Sequence, residues 1–121
     1  MKTKKYAGTI LHITTLGDWQ HAMEVGFYQT ASLSSEGFIH CSRPEQVLQV
    51  ANTLFCGQTG LVLLCIDRER VAAPLREENL EGGVDQFPHI YGPLNLEAVY
   101  QVINFVPGPD GLFELPAELC K

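Results

Sequence analysis

The sequence lacks the close spacings that announce a metal or redox centre. Its four cysteines, Cys41, Cys56, Cys65 and Cys120, form no CxxC pair, and none of its four histidines pair as HxH or HxxxH. That excludes zinc ribbons, knuckles and locally fixed zinc sites, which take at least two ligands from one short segment. The cysteines sit in apolar or terminal contexts, as expected of reduced thiols in a cytosolic protein without disulfides. Long apolar runs are also missing. The strongest, Leu61–Ile66, is too short to span a bilayer, and the basic start MKTKKYAGTILHITT runs into a segment too polar for a secretion signal. The expectation is a cytoplasmic chain with no membrane partner. Positive charge is scarce, with 8 Lys and Arg against 14 Asp and Glu and a net charge of −6. Such a surface repels phosphate backbones and excludes general nucleic-acid binding, while a local basic pocket for a single phosphate stays open. Repeats and low-complexity segments are absent as well.

What is present suits one α+β domain over residues 1–121, at 45% hydrophobic and 18% charged residues. TILHITT alternates and is β-branched, which predicts a strand at 9–14. In LGDWQHAMEVGF, the residues Trp19, Ala22, Met23 and Gly26 recur at helical spacing and predict a helix over 16–26, with His21 on the solvated face. SLSSEG reads as a loop and GFIHC as a short strand. In SRPEQVLQVANTLFCG, Ser42 and Glu45 have capping-box spacing and Pro44 suits a first turn. Val47, Leu48, Ala51, Leu54 and Phe55 form one apolar face, and Gly57 supplies a left-handed stop. GLVLLCID reads as a central strand, and 68–86 as turns with one short strand near 71–75. FPHIYGPLNL is expected to be irregular, because Pro88, Gly92 and Pro93 interrupt a ladder. EAVYQVINFV makes a long strand, PGPDG a turn, and LFELP a last short strand. Two helices in the N-terminal half with strands throughout define the α+β class.

Three histidines stand beside apolar residues: His12 in TILHIT, His40 in GFIHCS and His89 in FPHIYG. One such imidazole is ordinarily a hydrogen-bonded part of a core. Three of them at strand ends or in loops point to a cleft, since functional side chains project from such places. There they would bind ribose or phosphate, and one would serve as general acid or base near neutral pH. Tyr91 stands two residues from His89 and can stack or donate. A helix starting beside His40 would offer N–H groups to an anion. Phe87, His89 and Tyr91 on a proline-stiffened segment suit a pocket wall. Glu78 in LREENLEGG is either a solvated loop charge or a carboxylate orienting a ribose hydroxyl or an imidazole, with Arg76 pairing to it or meeting a phosphate. Other classes stay open. A zinc-assisted hydrolase could use the three histidines. Cys41 as nucleophile would need His12 or His89, because His40 and Cys41 point to opposite faces of a strand. A plain structural domain needs no site at all.

ILHIT, EGFIHCS followed by EQVLQVAN, LVLLCID, REENLEGG and FPHIYGPLNLEAV together resemble the DUF952 family of small bacterial proteins of unknown function, from about residue 9 to 116. That family is in turn similar to the ADP-ribosyltransferase fold, which includes the RNA 2′-phosphotransferases. The resemblance implies a curved, split antiparallel sheet with a cleft that holds NAD as a possible cofactor. LHIT stands where transferases carry Tyr-His-Gly-Thr, which implies that His12 meets a ribose hydroxyl beside Thr14. FIHCS resembles the second motif, which implies that His40 and Ser42 face the same cleft. Ile13 replaces the glycine of the first motif, and Glu97 is the only carboxylate where transferases place a catalytic glutamate, so His89 and Tyr91 would take over that chemistry. The implied site is thus His12, His40, His89 and Tyr91 as catalytic residues, with Thr14, Phe38, Ser42, Glu78 and Phe87 binding ligand and no metal. The implied function is a transferase-like enzyme acting on NAD, ADP-ribose or a phosphate-bearing nucleotide. The alternatives are a non-catalytic binder of a nucleotide-like or other small ligand, and the three-histidine hydrolase.

Overall fold

The computed structural model describes residues 8–79 and 83–119. Cys120, Gly82 and the basic residues 1–7 lie outside the described residues. The fold is α+β with antiparallel sheets. Strand β1 (Thr9–Thr15) pairs with β4 (Leu61–Asp67), which pairs on its other side with β8 (Val99–Phe105). All of Leu61–Ile66 is buried because β4 is covered on both faces. Its alternation splits the core in two. Val62, Leu64 and Ile66 pack with Trp19, Ala22 and Tyr28, while Leu61, Leu63 and Cys65 pack with Val47, Ala51 and Phe105.

Helix α1 (Leu16–Val25) follows β1 directly. Thr15 Oγ1 accepts the Asp18 N–H at 3.0 Å, and Gly26 closes the helix at φ +99°. Only Trp19 and Ala22 are buried on it; Met23, on the predicted face, is exposed. The Thr15 cap was not anticipated. Thr15→Ala is expected to cost about 0.5–2 kcal/mol in urea melts, the usual cost of a lost N-cap, and an unchanged midpoint would show that the cap carries no weight.

Several expectations need correction. SLSSEG is a helix, α2 (Ala31–Glu36), ended by Gly37 at φ +91°, so the described residues hold three helices rather than two. Phe27–Tyr28 forms β2, an unforeseen strand that pairs with β7 (Leu94–Asn95). The capping box does not form. Helix α3 (Val47–Leu54) begins five residues after Ser42, and Glu45 instead bonds Arg43 at 2.8 Å. Ser42 exchanges backbone bonds with Leu11, N–H to O at 2.8 Å and O from N–H at 2.7 Å. A sheet-like bridge has taken Ser42 from its cap, so no helix N-terminus stands beside His40 and no anion site arises there.

The largest correction is FPHI. Rather than irregular chain, it is β6 (Phe87–Ile90), the central strand between β3 (Ile39–His40) and β5 (Leu75–Glu78). Pro88 is tolerated because its missing N–H falls opposite Cys41, just past the end of β3. Cys41 N–H still donates to Pro88 O at 3.0 Å, and only the reciprocal bond is lost. The strand expected near 71–75 lies at Leu75–Glu78, which moves Glu78 from a loop onto a ladder. LFELP is not a strand. Phe113 N–H donates to Asn52 Oδ1 at 2.6 Å, and a short 3-10 turn, Ala117–Leu119, follows.

Candidate functional site

A cleft of about 890 Å³ opens between β1, α1, α2, α3 and the β3–β6–β5 sheet. His12, His40 and His89 all line it, as do Thr14, Phe38, Ser42, Glu78 and Phe87. Tyr91 does not line it, and neither does Glu97, which sits exposed in the 3-10 segment Leu96–Ala98. The Leu11–Ser42 bridge brings β1 against the end of β3, and the His40–His89 register of β3 and β6 places the other two imidazoles side by side.

His12 is buried with both ring nitrogens occupied. Nδ1 lies 2.6 Å from the His40 carbonyl oxygen, which only accepts, so Nδ1 carries a proton. Nε2 lies 2.7 Å from the Tyr28 hydroxyl, which also bonds Thr14 Oγ1 at 2.8 Å. Burial pushes the His12 pKa down to about 4, against the smaller opposing effect of the His40 carbonyl. Burial likewise pushes the Tyr28 phenol up to about 12. At neutral pH both members of this pair are uncharged. His12 pins β1 to β2 and β3 and has no ring nitrogen left for a ribose.

His89 is arranged differently. Its ring stacks on Phe38 at 4.1 Å between centroids and 19° between planes, and meets the His40 ring edge-on at 5.4 Å. Nδ1–H donates to Glu78 Oε2 at 2.9 Å, and the same oxygen accepts the Tyr91 hydroxyl. Nε2 has no hydrogen-bond partner among the described residues. The Tyr91 bond first, and the His89 bond second, hold the Glu78 carboxyl below the usual carboxylate range, and Glu78 in turn pushes the Tyr91 phenol up. Arg76 lies 5.0 Å over the Tyr91 ring. Tyr91 therefore holds Glu78 from outside the cleft lining. With Tyr91→Phe, the Glu78 carboxyl is expected to titrate at higher pH than in the wild type; an unchanged NMR titration would show that the bond does not form in solution.

His40 is half exposed, with Nε2 2.8 Å from Glu36 Oε1. Three imidazoles sharing one cleft do not make a metal site here. His12 has no free nitrogen, His40 and His89 each turn one nitrogen to a carboxylate, and no group of three or more His, Cys, Asp or Glu among the described residues could hold a metal ion. Cys41 is no nucleophile either: it lies in the core, and burial pushes its thiol far above the ordinary range. Cys56 and Cys65 are free thiols as well. Sequence reasoning missed Asp18, Tyr28, Thr30, Ser32 and Glu36 on the cleft wall. Glu36 had a readable signal, four residues before His40; Tyr28 had none, because its place depends on a two-residue strand paired to distant chain.

The model of a family of proteins of unknown function, DUF952, matches residues 13–102. The chain belongs to the DUF952 family. The crystal structure of protein CC0527 from Caulobacter crescentus is similar, at 33% identity and a TM-score of 0.80 over 88% of this chain and 94% of that one. The solution NMR structure of CC0527 gives 32% identity and a TM-score of 0.81 over 93% and 97%. No curated protein matches. The DUF952 span holds Phe38, His40, Glu78, His89 and Tyr91, and His12 stands one residue before it. No helix among the described residues of this DUF952 protein is long and apolar enough to cross a membrane.

Proposed function

We propose that this DUF952 protein is an enzyme that binds a ribosyl-bearing small molecule in the cleft and transfers a proton with His89. One observation carries the reading: Nδ1–H of His89 is held by Glu78, while Nε2 is unpartnered at the cleft wall. A carboxylate on Nδ1–H fixes the tautomer, leaves a lone pair on Nε2, and stabilises the imidazolium that forms when Nε2 takes a proton. In transfer of a ribosyl group from a cationic base, the glycosyl part of the chemistry that the resemblance implies, Nε2 would take the proton of an accepting hydroxyl as its oxygen bonds the ribosyl C1 and the base leaves neutral with the C1–N electron pair. A volume of about 890 Å³ is within the range of small-molecule sites. His12 supports this reading only by holding the wall.

A second reading, a non-catalytic binder, is favoured by how few groups remain reactive, since His12 and Cys41 are both committed to the core. The test is a thermal-shift series with NAD, ADP-ribose and adenosine, followed by chromatography of whichever ligand raises Tm. Conversion of the ligand supports the enzyme. A raised Tm with the ligand recovered intact selects the binder, and no shift with any of them rejects both.

A further inference from the structure

We infer that the cleft selects a phosphate-free ligand that carries a positive charge on an apolar body. This deepens the proposed reading of the cleft and rests on it. The wall is electrostatically one-sided. Asp18 from α1, Glu36 from α2 and Glu78 from β5 line it, and among the described residues no Lys or Arg does. The two imidazoles that could gain charge already face carboxylates, His40 with Glu36 at 2.8 Å and His89 with Glu78 at 2.9 Å. Protonating both would still leave one of the three carboxylates uncompensated. His12 stays neutral, because burial holds its pKa near 4.

Arginines adjoining the cleft residues in sequence are engaged elsewhere. Arg43 bonds Glu45 and Glu77, at 2.8 and 2.9 Å, and Arg76 lies over Tyr91, off the lining, where its charge reaches Glu78 but pairs with neither Asp18 nor Glu36. A phosphate in the cleft would meet like charge with no Lys or Arg among the described lining residues to bond it. Asp18 and Tyr28 line the cleft together, and the Asp18 charge adds to the burial that raises the Tyr28 phenol. His89 adds an independent sign. It is only 5% exposed, yet its Nε2 is unpartnered, and with the proton on Nδ1 this atom accepts hydrogen bonds. An acceptor suits an amino or ammonium donor and repels phosphate oxygens. Part of the lining is apolar: Val50 and Leu54 come from α3 and Phe55 from its C-terminal cap, and Leu54 is 70% exposed. That surface is available to the uncharged body of the ligand.

Three compounds with one body separate the cases: 5′-amino-5′-deoxyadenosine, adenosine and adenosine 5′-monophosphate, each titrated calorimetrically into the full chain. The amine is expected to bind tightest and the monophosphate weakest, spread at least about tenfold at low ionic strength and converging as salt rises. Asp18→Asn should shrink the advantage of the amine and leave adenosine unchanged, with a circular-dichroism melt confirming the fold. Monophosphate binding equal to or tighter than the amine overturns this inference and leaves the ribosyl-ligand reading standing. Failure of all three to bind the folded protein overturns this inference, and overturns the ribosyl-ligand reading too where NAD and ADP-ribose also leave Tm unchanged.

Discussion

Lowering the pH from 6.5 to 4 will remove about 3 kcal/mol from the folding stability of this protein through His12 alone. The unfolded chain protonates His12 near its ordinary value of 6.5, whereas the native state resists until about 4. Between those values the unfolded state binds more protons, so stability falls as pH falls. The contribution is whole above 6.5 and fully lost below about 4. Glu78 acts in the same direction but later: its carboxyl lies below its ordinary 4.5 in the native state, so its stabilising effect starts to be lost only as pH nears that value. The window from 6.5 to 4.5 therefore reports His12. Urea melts across it should slope steeply for the wild type and less for His12→Gln. That variant should also be weaker at neutral pH by about 1–3 kcal/mol, because it disturbs the bonds to the His40 carbonyl and the Tyr28 hydroxyl. Parallel slopes would mean that His12 is not held neutral in the fold.

The second large effect concerns chemistry. Glu78→Gln is expected to lower kcat on any ligand that the protein converts by about 10²–10⁴-fold, and His89→Asn by a similar factor. The glutamine keeps the shape of the wall and removes the charge that would stabilise the His89 imidazolium. Tyr91→Phe should do less, since the hydroxyl it removes bonds only Glu78 and Tyr91 does not line the cleft. Steady-state kinetics at several pH values is the measurement, and wild-type kcat in both Glu78→Gln and His89→Asn would remove His89 from any acid–base role. The structure also separates two residues that the sequence treated alike. His89 lies in a central strand, stacked on Phe38, so its loss weakens folding as well as the cleft. Tyr91 is off the cleft and acts through a carboxylate.

How much of the fold was legible follows from the range of the forces involved. β1, β4 and β8 could be read because alternation or an unbroken apolar run records which faces are covered. α1 could be read to within a residue of its end, since Gly26 is needed where the backbone turns left-handed. β6 could not. The rule against proline in central strands is local, whereas the cost depends on which neighbour the missing N–H faces, and register decides that. Ser42 had a valid local signal for a cap, and a bridge to Leu11, 31 positions earlier in the chain, took the residue instead.

The candidate site divides in the same way. By itself the sequence determined that His12, His40, His89 and Glu78 merit attention, because polar residues among apolar neighbours need a reason to be there. Only the tertiary structure decided which of them is available for chemistry. His12 and His89 look alike in sequence, each flanked by apolar residues. One meets a carbonyl and a phenol and is closed on both sides; the other meets a carboxylate on one side and the open cleft on the other. Those partners come from β2, β3 and β5, brought together by strand pairing across stretches of chain that no local pattern encodes. An imidazole's role is set by the groups at its two nitrogens, and folding chooses those groups.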